Sequence, residues 1–318
     1  MLRAYDYTEN TAGRSALQAS QSFNQELKLA KAAVGRALQL ETEGPAQCPG
    51  CGGKEHTLFF EKWGVAYLRC GNCGSVFADV DNETLKAYQE DAVLSDFRSS
   101  STYQQEAKEK RELSWQEILD WMQFRCFRYL GRNQGLRIFS GGERYAGFAE
   151  MMRSSPLCGN LTVYQQGETG DGTFEIAVSF NLLQQSNHPR EHLRMLNRHL
   201  MPGGLLFLSA RLGTGFDILV LREHAQVYPY EYVSLLSRQG LSHILAQAGF
   251  EMLDYSTPGH MDVGYVQSKR AFIHEDNLFV RNLISDSDQI ILGEFQRFLQ
   301  KSGMSSYAHI VAKKVSGQ

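Results

Sequence analysis

The sequence predicts an α/β protein. A mostly parallel, doubly wound sheet is preceded by an N-terminal helix, a cysteine-rich ribbon and a helical connector. Three observations lead there. From Gly135 onward, short apolar runs alternate with amphipathic segments, which is the pattern of repeated strand–helix units. Two of those runs, FEIAVSF (174–180) and GLLFLSAR (204–211), are almost continuously apolar, as strands covered on both faces must be. Ahead of Gly135, two Cys-x2-Cys turns, Cys48/Cys51 and Cys70/Cys73, interrupt aromatic strand-like material.

Taken in order, Ala16 to Leu40 reads as a helix. Leu17, Phe23, Leu27, Ala30, Val34 and Leu38 recur at spacings that share one face. ETEGPAQ (41–47) breaks it. The ribbon spans 48–80, and 81–134 is helical, with KEKRE (108–112) expected on a solvated face. The remainder, 135–318, holds the sheet. LRIFS, NLTVYQ, FEIAVSF, GLLFLSAR, FEMLDYS and YAHIVAKK are its strands. AGFAEMMRSS, PREHLRMLNRHLM, SRQGLSHILAQAG and DSDQIILGEFQRFLQKSG are its helices, with Gly249 a natural C-terminal stop. YAHIVAKK is expected to join antiparallel near FEMLDYS.

Composition excludes some classes of function. In 318 residues, 42% are hydrophobic and 21% charged, ordinary for a globular chain. A net charge of -3 and a pI near 6.3 lack the basic footprint of nucleic-acid binding. No apolar run approaches the roughly 20 residues of a membrane span. The first residues lack the basic-then-apolar order of a signal peptide. The expectation is therefore a cytoplasmic protein that meets a small-molecule ligand or a protein partner, and neither nucleic acid nor membrane.

Cys48, Cys51, Cys70 and Cys73 are the strongest chemical signal. Each Cys-x2-Cys turn presents two sulfurs on one side of a knuckle, and two knuckles complete the tetrahedral set that zinc prefers. Four protein ligands leave no open position, so the metal is structural. Gly50, Gly52, Gly53, Gly71 and Gly74 supply conformational freedom around the turns. Cys126 and Cys158 stand alone and read as small apolar residues. His188, His192, His199, His224, His243 and His260 do not form a metal-spaced set.

Other candidates cluster where strands end, the edge at which open α/β sheets bind ligands. GLRIFSGGERYAGFAEMM (135–152) passes from strand through Gly141 and Gly142 into a helix, the position of a cofactor loop, with Glu143 next. Asn181 closes FEIAVSF. Glu231 and Tyr232, in YPYEYVSLLS, sit in a loop that can face the same cleft, and Gly213-x-Gly215 is a weak loop signal.

The order of these pieces resembles the class I S-adenosylmethionine-dependent methyltransferases that carry an N-terminal zinc ribbon, including sugar C-methyltransferases of surface-polysaccharide clusters. The ribbon carries the likeness first. FEIAVSFNLLQQSNHPREHLRMLNRHLMPGGLLFLSA (174–210) is similar to the family's fourth strand, following helix and PGG turn. GTGFDILVL, YPYEYVSLLSRQGLSHILAQAGFE, STPGHMDVGYVQ and FLQKSGMSSYAHIVAKK look like its C-terminal segments. The resemblance implies a Rossmann-like methyltransferase sheet, S-adenosylmethionine held at Gly141, Gly142, Glu143 and Asn181, and acid–base chemistry at Glu231 and Tyr232.

Three departures from that pattern concern the cofactor and the chemistry. Phe139 or Ser140 stands where the family places an acid, and Glu143 and Tyr145 replace later glycines of its loop. About thirty residues separate Gly141 from Phe174, roughly half the family's interval, so one β–α unit and its ribose-binding acid are missing. Gln165, Gln166 and Glu168 occupy the region instead. The family's Glu-His pair is Glu231-Tyr232, and a tyrosine with pKa near ~10 is a poor base at neutral pH. The expectation is a member of this family with structural zinc and an eroded cofactor site, binding a ligand or partner without catalysis. The alternative is an active methyltransferase on a sugar nucleotide or similar metabolite.

Overall fold

The structure, a computed structural model, describes residues 21–38, 47–142, 146–164 and 172–315. Leu17, Glu143, Tyr145, Gln165, Gln166 and Glu168 lie outside the described residues, as do the side chains of 110–112 within KEKRE.

Helix α1 (Gln21–Ala37) buries Ala30, Ala33, Val34 and Ala37, whereas Leu38, just past its end, is exposed. The ribbon is built from β1 (His56–Lys62), β2 (Val65–Cys70) and β3 (Val76–Ala78), antiparallel in that order. The connector is three helices: α2 (Asn82–Gln89), α3 (Ala92–Ser99) and the 30-residue α4 (Ser101–Leu130). Each has a side-chain cap, from Asp81, Asp91 and Ser100 in turn, and Gly131 ends α4 at φ 73°.

Six strands form the large sheet: β4 (Leu136–Ser140), β5 (Cys158–Val163), β6 (Phe174–Phe180), β7 (Leu200–Arg211), β9 (Phe250–Ser256) and β10 (Tyr307–Lys314). Their spatial order is β5-β4-β6-β7-β10-β9. The first four are parallel, and β10 runs antiparallel between β7 and β9. Between Gly141 and Phe174 the described residues hold one helix, α5 (Ala146–Ser154), and one strand, β5. The spacing expectation of a sheet one unit short therefore matches the observed order.

Helix α6 (Pro189–His199) ends two residues earlier than the sequence pattern suggests, because Leu200 already pairs with Phe174. The next pair is Ile176 with Leu205, so Met201–Gly204 bulge out of the ladder. A Cβ on Gly204 would meet Leu200, Met201 and Glu175 at 3.0–3.1 Å, which explains the second glycine of the PGG turn.

Helix α7 (Phe216–Leu221), two-residue strand β8 (Ser234–Leu235), and helices α8 (Arg238–Gln247), α9 (Asp262–Ser268), α10 (Leu278–Asp286) and α11 (Gln289–Ser302) complete the chain. Strand β8 pairs with β3, so the ribbon's sheet takes its fourth strand from the later half of the chain. One face of the large sheet packs Ile138, Ile176, Val178, Leu205, Phe207 and Val311 beneath α4. The opposite face packs Phe139, Ala177, Leu206, Leu208 and Ile310 against α6 and α8.

Candidate functional site

The four ribbon sulfurs converge. Cys48 Sγ lies 3.7 Å from Cys73 Sγ, Cys51 Sγ lies 3.5 Å from Cys70 Sγ, and all four fall within 4.8 Å of one another. A tetrahedron with metal–sulfur bonds of ~2.3 Å has edges of about 3.8 Å. Two of the six edges are close to that length, and the donor set suits zinc. Both knuckles use the same backbone device. The N–H of Gly52 donates to Cys48 O and that of Gly74 to Cys70 O. These two glycines, at φ 74° and 73°, adopt the left-handed turn. Gly50, Gly53 and Gly71 do not. Gly50 is instead the close-contact position against Gly240 Cα, 3.2 Å from where a Cβ would sit.

Polar groups around the sulfurs bind the ribbon to the large domain. Ser75 Oγ lies 3.2 Å from Cys73 Sγ and accepts the Ser237 N–H. Ser237, the N-cap of α8, donates its hydroxyl to Cys73 O. Hydrogen bonds from Cys48 and Ser75 hold the Cys73 thiol down at about 4. Cys126 is fully buried and its thiol pushed up to about 12 by desolvation, whereas Cys158 is only partly buried.

At the carboxyl edge of the large sheet, β4 and β5 end in Ser140 and Val163 without a carboxylate. Phe139 is wholly buried and stacks on His199, with ring centroids 3.9 Å apart at 8°. Gly141 is crowded from within: a Cβ would come 2.8 Å from Leu196 Cδ2 and 3.0 Å from His192 Cε1. Close approach of α6 therefore requires this glycine. Gly142 sits at φ 152° and faces Leu182. Asn181 turns the chain at φ 56°, donates its N–H to Ser209 O, and leaves Oδ1 buried without a partner.

A cavity of about 420 Å³ opens beside this edge, lined by Asn82, Leu85, Lys86, Gln89, Gly141, Leu182, Gln185, Ser186, Asn187 and His192. None of these carries a carboxylate. Helix α2 forms one wall, fastened by Asn82 to His188 Nε2 (3.0 Å), Asn187 to Val80 O (3.0 Å) and Gln89 to Gln185 O (3.4 Å). His192 is deep, lies 2.8 Å from Ser179 Oγ, and burial lowers its imidazole to about 4. The sequence marks His192 only as an isolated helix histidine. Its role as a cavity wall follows from α6 packing under Gly141.

Glu231 and Tyr232 stand apart from that cavity's lining. Glu231 is 6% exposed, and its Oε1 accepts from Arg98 (2.6 Å) and Tyr88 (3.0 Å). Arg98 also binds Glu26 at 3.0 Å, joining α1, α3 and the 228–233 loop. Tyr232 Oη lies 3.5 Å from Tyr307 Oη, and the Arg211 guanidinium stands over both rings. Gly213 and Gly215 are packing positions, where a Cβ would meet Leu235 O at 2.3 Å and Ser306 Cα at 2.7 Å.

The strand order, with parallel β5-β4-β6-β7 and an antiparallel β10 inserted beside β9, defines a Rossmann-like methyltransferase fold. A family model described as methyltransferase domain matches residues 91–255, just over half the chain, and the protein belongs to this family. Among solved structures it is similar to the [4+2]-cyclase SpnF, at 16% identity over 63% of this chain and 81% of that one, TM-score 0.36. It is also similar to geranyl diphosphate C-methyltransferase from Streptomyces coelicolor A3(2), at 12% identity over 68% and 87%, TM-score 0.40. A third is an S-adenosylmethionine-dependent methyltransferase from Mesorhizobium loti, at 13% identity over 62% and 100%, TM-score 0.35. No curated protein matches the chain. Among the described residues, no helix is long and apolar enough to cross a membrane.

Proposed function

We propose that this family member has lost S-adenosylmethionine binding and uses the remodelled cleft to hold a small polar ligand without methyl transfer. The observation that carries the reading is the strand edge. S-adenosylmethionine offers a ribose diol and two cationic groups, which call for carboxylates. The described ends of β4 and β5 and the whole cavity lining supply none. Without its acid the ribose forgoes a charged hydrogen bond, ~1.5–3 kcal/mol each. The described residues at this edge do not fit this cofactor.

They do suit hydroxyls. Asn82, Gln89, Gln185, Asn187 and Ser186 offer both donors and acceptors, and Lys86 offers the one cation of the lining. That set supports a sugar-like ligand, neutral or phosphorylated, consistent with sugar metabolism in the cytoplasm. Zinc at Cys48, Cys51, Cys70 and Cys73 is structural in this reading.

Calorimetric titration tests it. S-adenosylmethionine and S-adenosylhomocysteine are expected to give no heat and no melting shift at millimolar concentration. Hexoses or hexose phosphates are expected to raise the melting temperature, and Lys86→Glu is expected to abolish the phosphate's effect. Low-micromolar S-adenosylmethionine binding, lost in Glu143→Ala, would overturn the reading and restore an active methyltransferase.

A further inference from the structure

The sheet face beneath α4 changes character toward the carboxyl edge of β7. Leu205 and Phe207 are apolar, but Ser209 and Arg211 follow at the same two-residue step. Strand pairing sets Ser209 opposite His309 and Arg211 opposite Tyr307, so the four side chains share that face. Trp121 of α4 packs on the start of this polar stretch, its ring 4.7 Å from His309 and 5.1 Å from Phe207.

Three polar atoms of this cluster are buried and have no hydrogen-bond partner among the described residues: Trp121 Nε1, Ser209 Oγ and Arg211 Nε. Their residues are 3%, 3% and 5% exposed, so bulk water does not serve them. His309 is deep enough for burial to lower its imidazole to about 4, yet the residue retains accessible surface. Phe180 and Tyr307, along the same edge, also retain accessible surface.

Indole and guanidinium N–H groups only donate. The neighbouring carboxylates are already engaged. Asp217 accepts from Arg211 Nη2 and Ser306 Oγ, Glu231 accepts from Arg98 and Tyr88, and Asp254 is paired with Arg125. Among the described residues no acceptor meets Trp121 Nε1 or Arg211 Nε. We infer that Trp121, Ser209, Arg211 and His309 form a binding site for the carboxylate of a small organic acid, whose apolar body rests against Phe180 and Tyr307. A carboxylate brings two oxygens with lone pairs for the indole, hydroxyl and guanidinium donors. The site shares no residue with the 420 Å³ cavity and does not depend on the ligand proposed there.

The probe is benzoate, with benzyl alcohol as the uncharged control, added to the full-length zinc-loaded protein. Trp121 is one of three tryptophans, and Trp121→Phe assigns its indole N–H resonance. Benzoate is expected to move that resonance saturably, with calorimetric heat. Ser209→Ala, which removes one small hydroxyl, is expected to weaken binding about tenfold or more while melting as the parent does. Trp121→Phe keeps an aromatic ring, smaller than the indole, loses the donor, and is expected to weaken binding as well. An unmoved indole resonance, equal binding of benzyl alcohol, or full affinity in Ser209→Ala would each overturn the assignment. S-adenosylmethionine titration leaves this result unaffected, so the two readings fail separately.

Discussion

At the residue scale, Glu231 is part of a clamp between the connector and the 228–233 loop. Its carboxylate is spent on Arg98 and Tyr88 in a nearly buried site. A general base needs a free lone pair facing substrate. Glu231→Gln is therefore expected to destabilise the protein by ~1–3 kcal/mol in denaturant unfolding, because it strips a charged acceptor from a partly buried guanidinium. Unchanged stability would mean that the clamp is decorative. The sequence could name Glu231 but not its partners, since Tyr88 and Arg98 lie more than a hundred residues away. Gly141 teaches the same lesson. The glycine is legible, while the reason for it, Leu196 and His192 of α6, appears only in three dimensions.

At the element scale, the ribbon is tied to the segment that carries Glu231. Strand β3 pairs with β8, and Ser75 and Ser237 link the Cys73 knuckle to the start of α8. Metal binding energy is folding energy for such knuckles. Zinc analysis is expected to find about one equivalent per chain on four thiolates. Chelation is expected to raise amide exchange first in 47–53 and 70–78, and then in 228–237, leaving β6 and β7 protected. Cys70→Ser is expected to do the same without chelator. Exchange confined to the ribbon would show that β8 holds without it. The cysteine spacing made the ribbon readable. Strand β8 was not, because two residues carry no periodicity, and α7, α9 and α10 are similarly short segments whose apolar residues answer to distant neighbours.

At the scale of the whole molecule, two deep histidines on opposite faces of the sheet make stability depend on acid. Burial lowers His192 and His309 from 6.5 to about 4. In the unfolded chain both take up protons near 6.5, so between pH 6.5 and 4 the unfolded state binds more protons than the native one. Stability therefore rises with pH across that window and falls as pH drops through it. Melting temperature is expected to decline steadily from pH 6.5 to 4, and His309→Gln is expected to flatten the decline. A flat profile in the parent would place both rings in contact with water. The sheet itself was legible at this scale: the interval between Gly141 and Phe174 announces the missing unit, and the observed order β5-β4-β6-β7-β10-β9 contains one strand–helix step there.

The sequence by itself determined the strand–helix alternation, the four thiolates and the lack of an acid at the ends of the first strands. Each is written in neighbours a few residues apart, where backbone geometry links spacing directly to shape. Tertiary structure alone decided that Gly141 answers to α6, that Glu231 is clamped to the connector, and that Trp121, Ser209, Arg211 and His309 meet on one face. Those outcomes depend on which distant segments share a small volume. Side-chain packing and the satisfaction of buried polar groups settle that, and no local pattern encodes it.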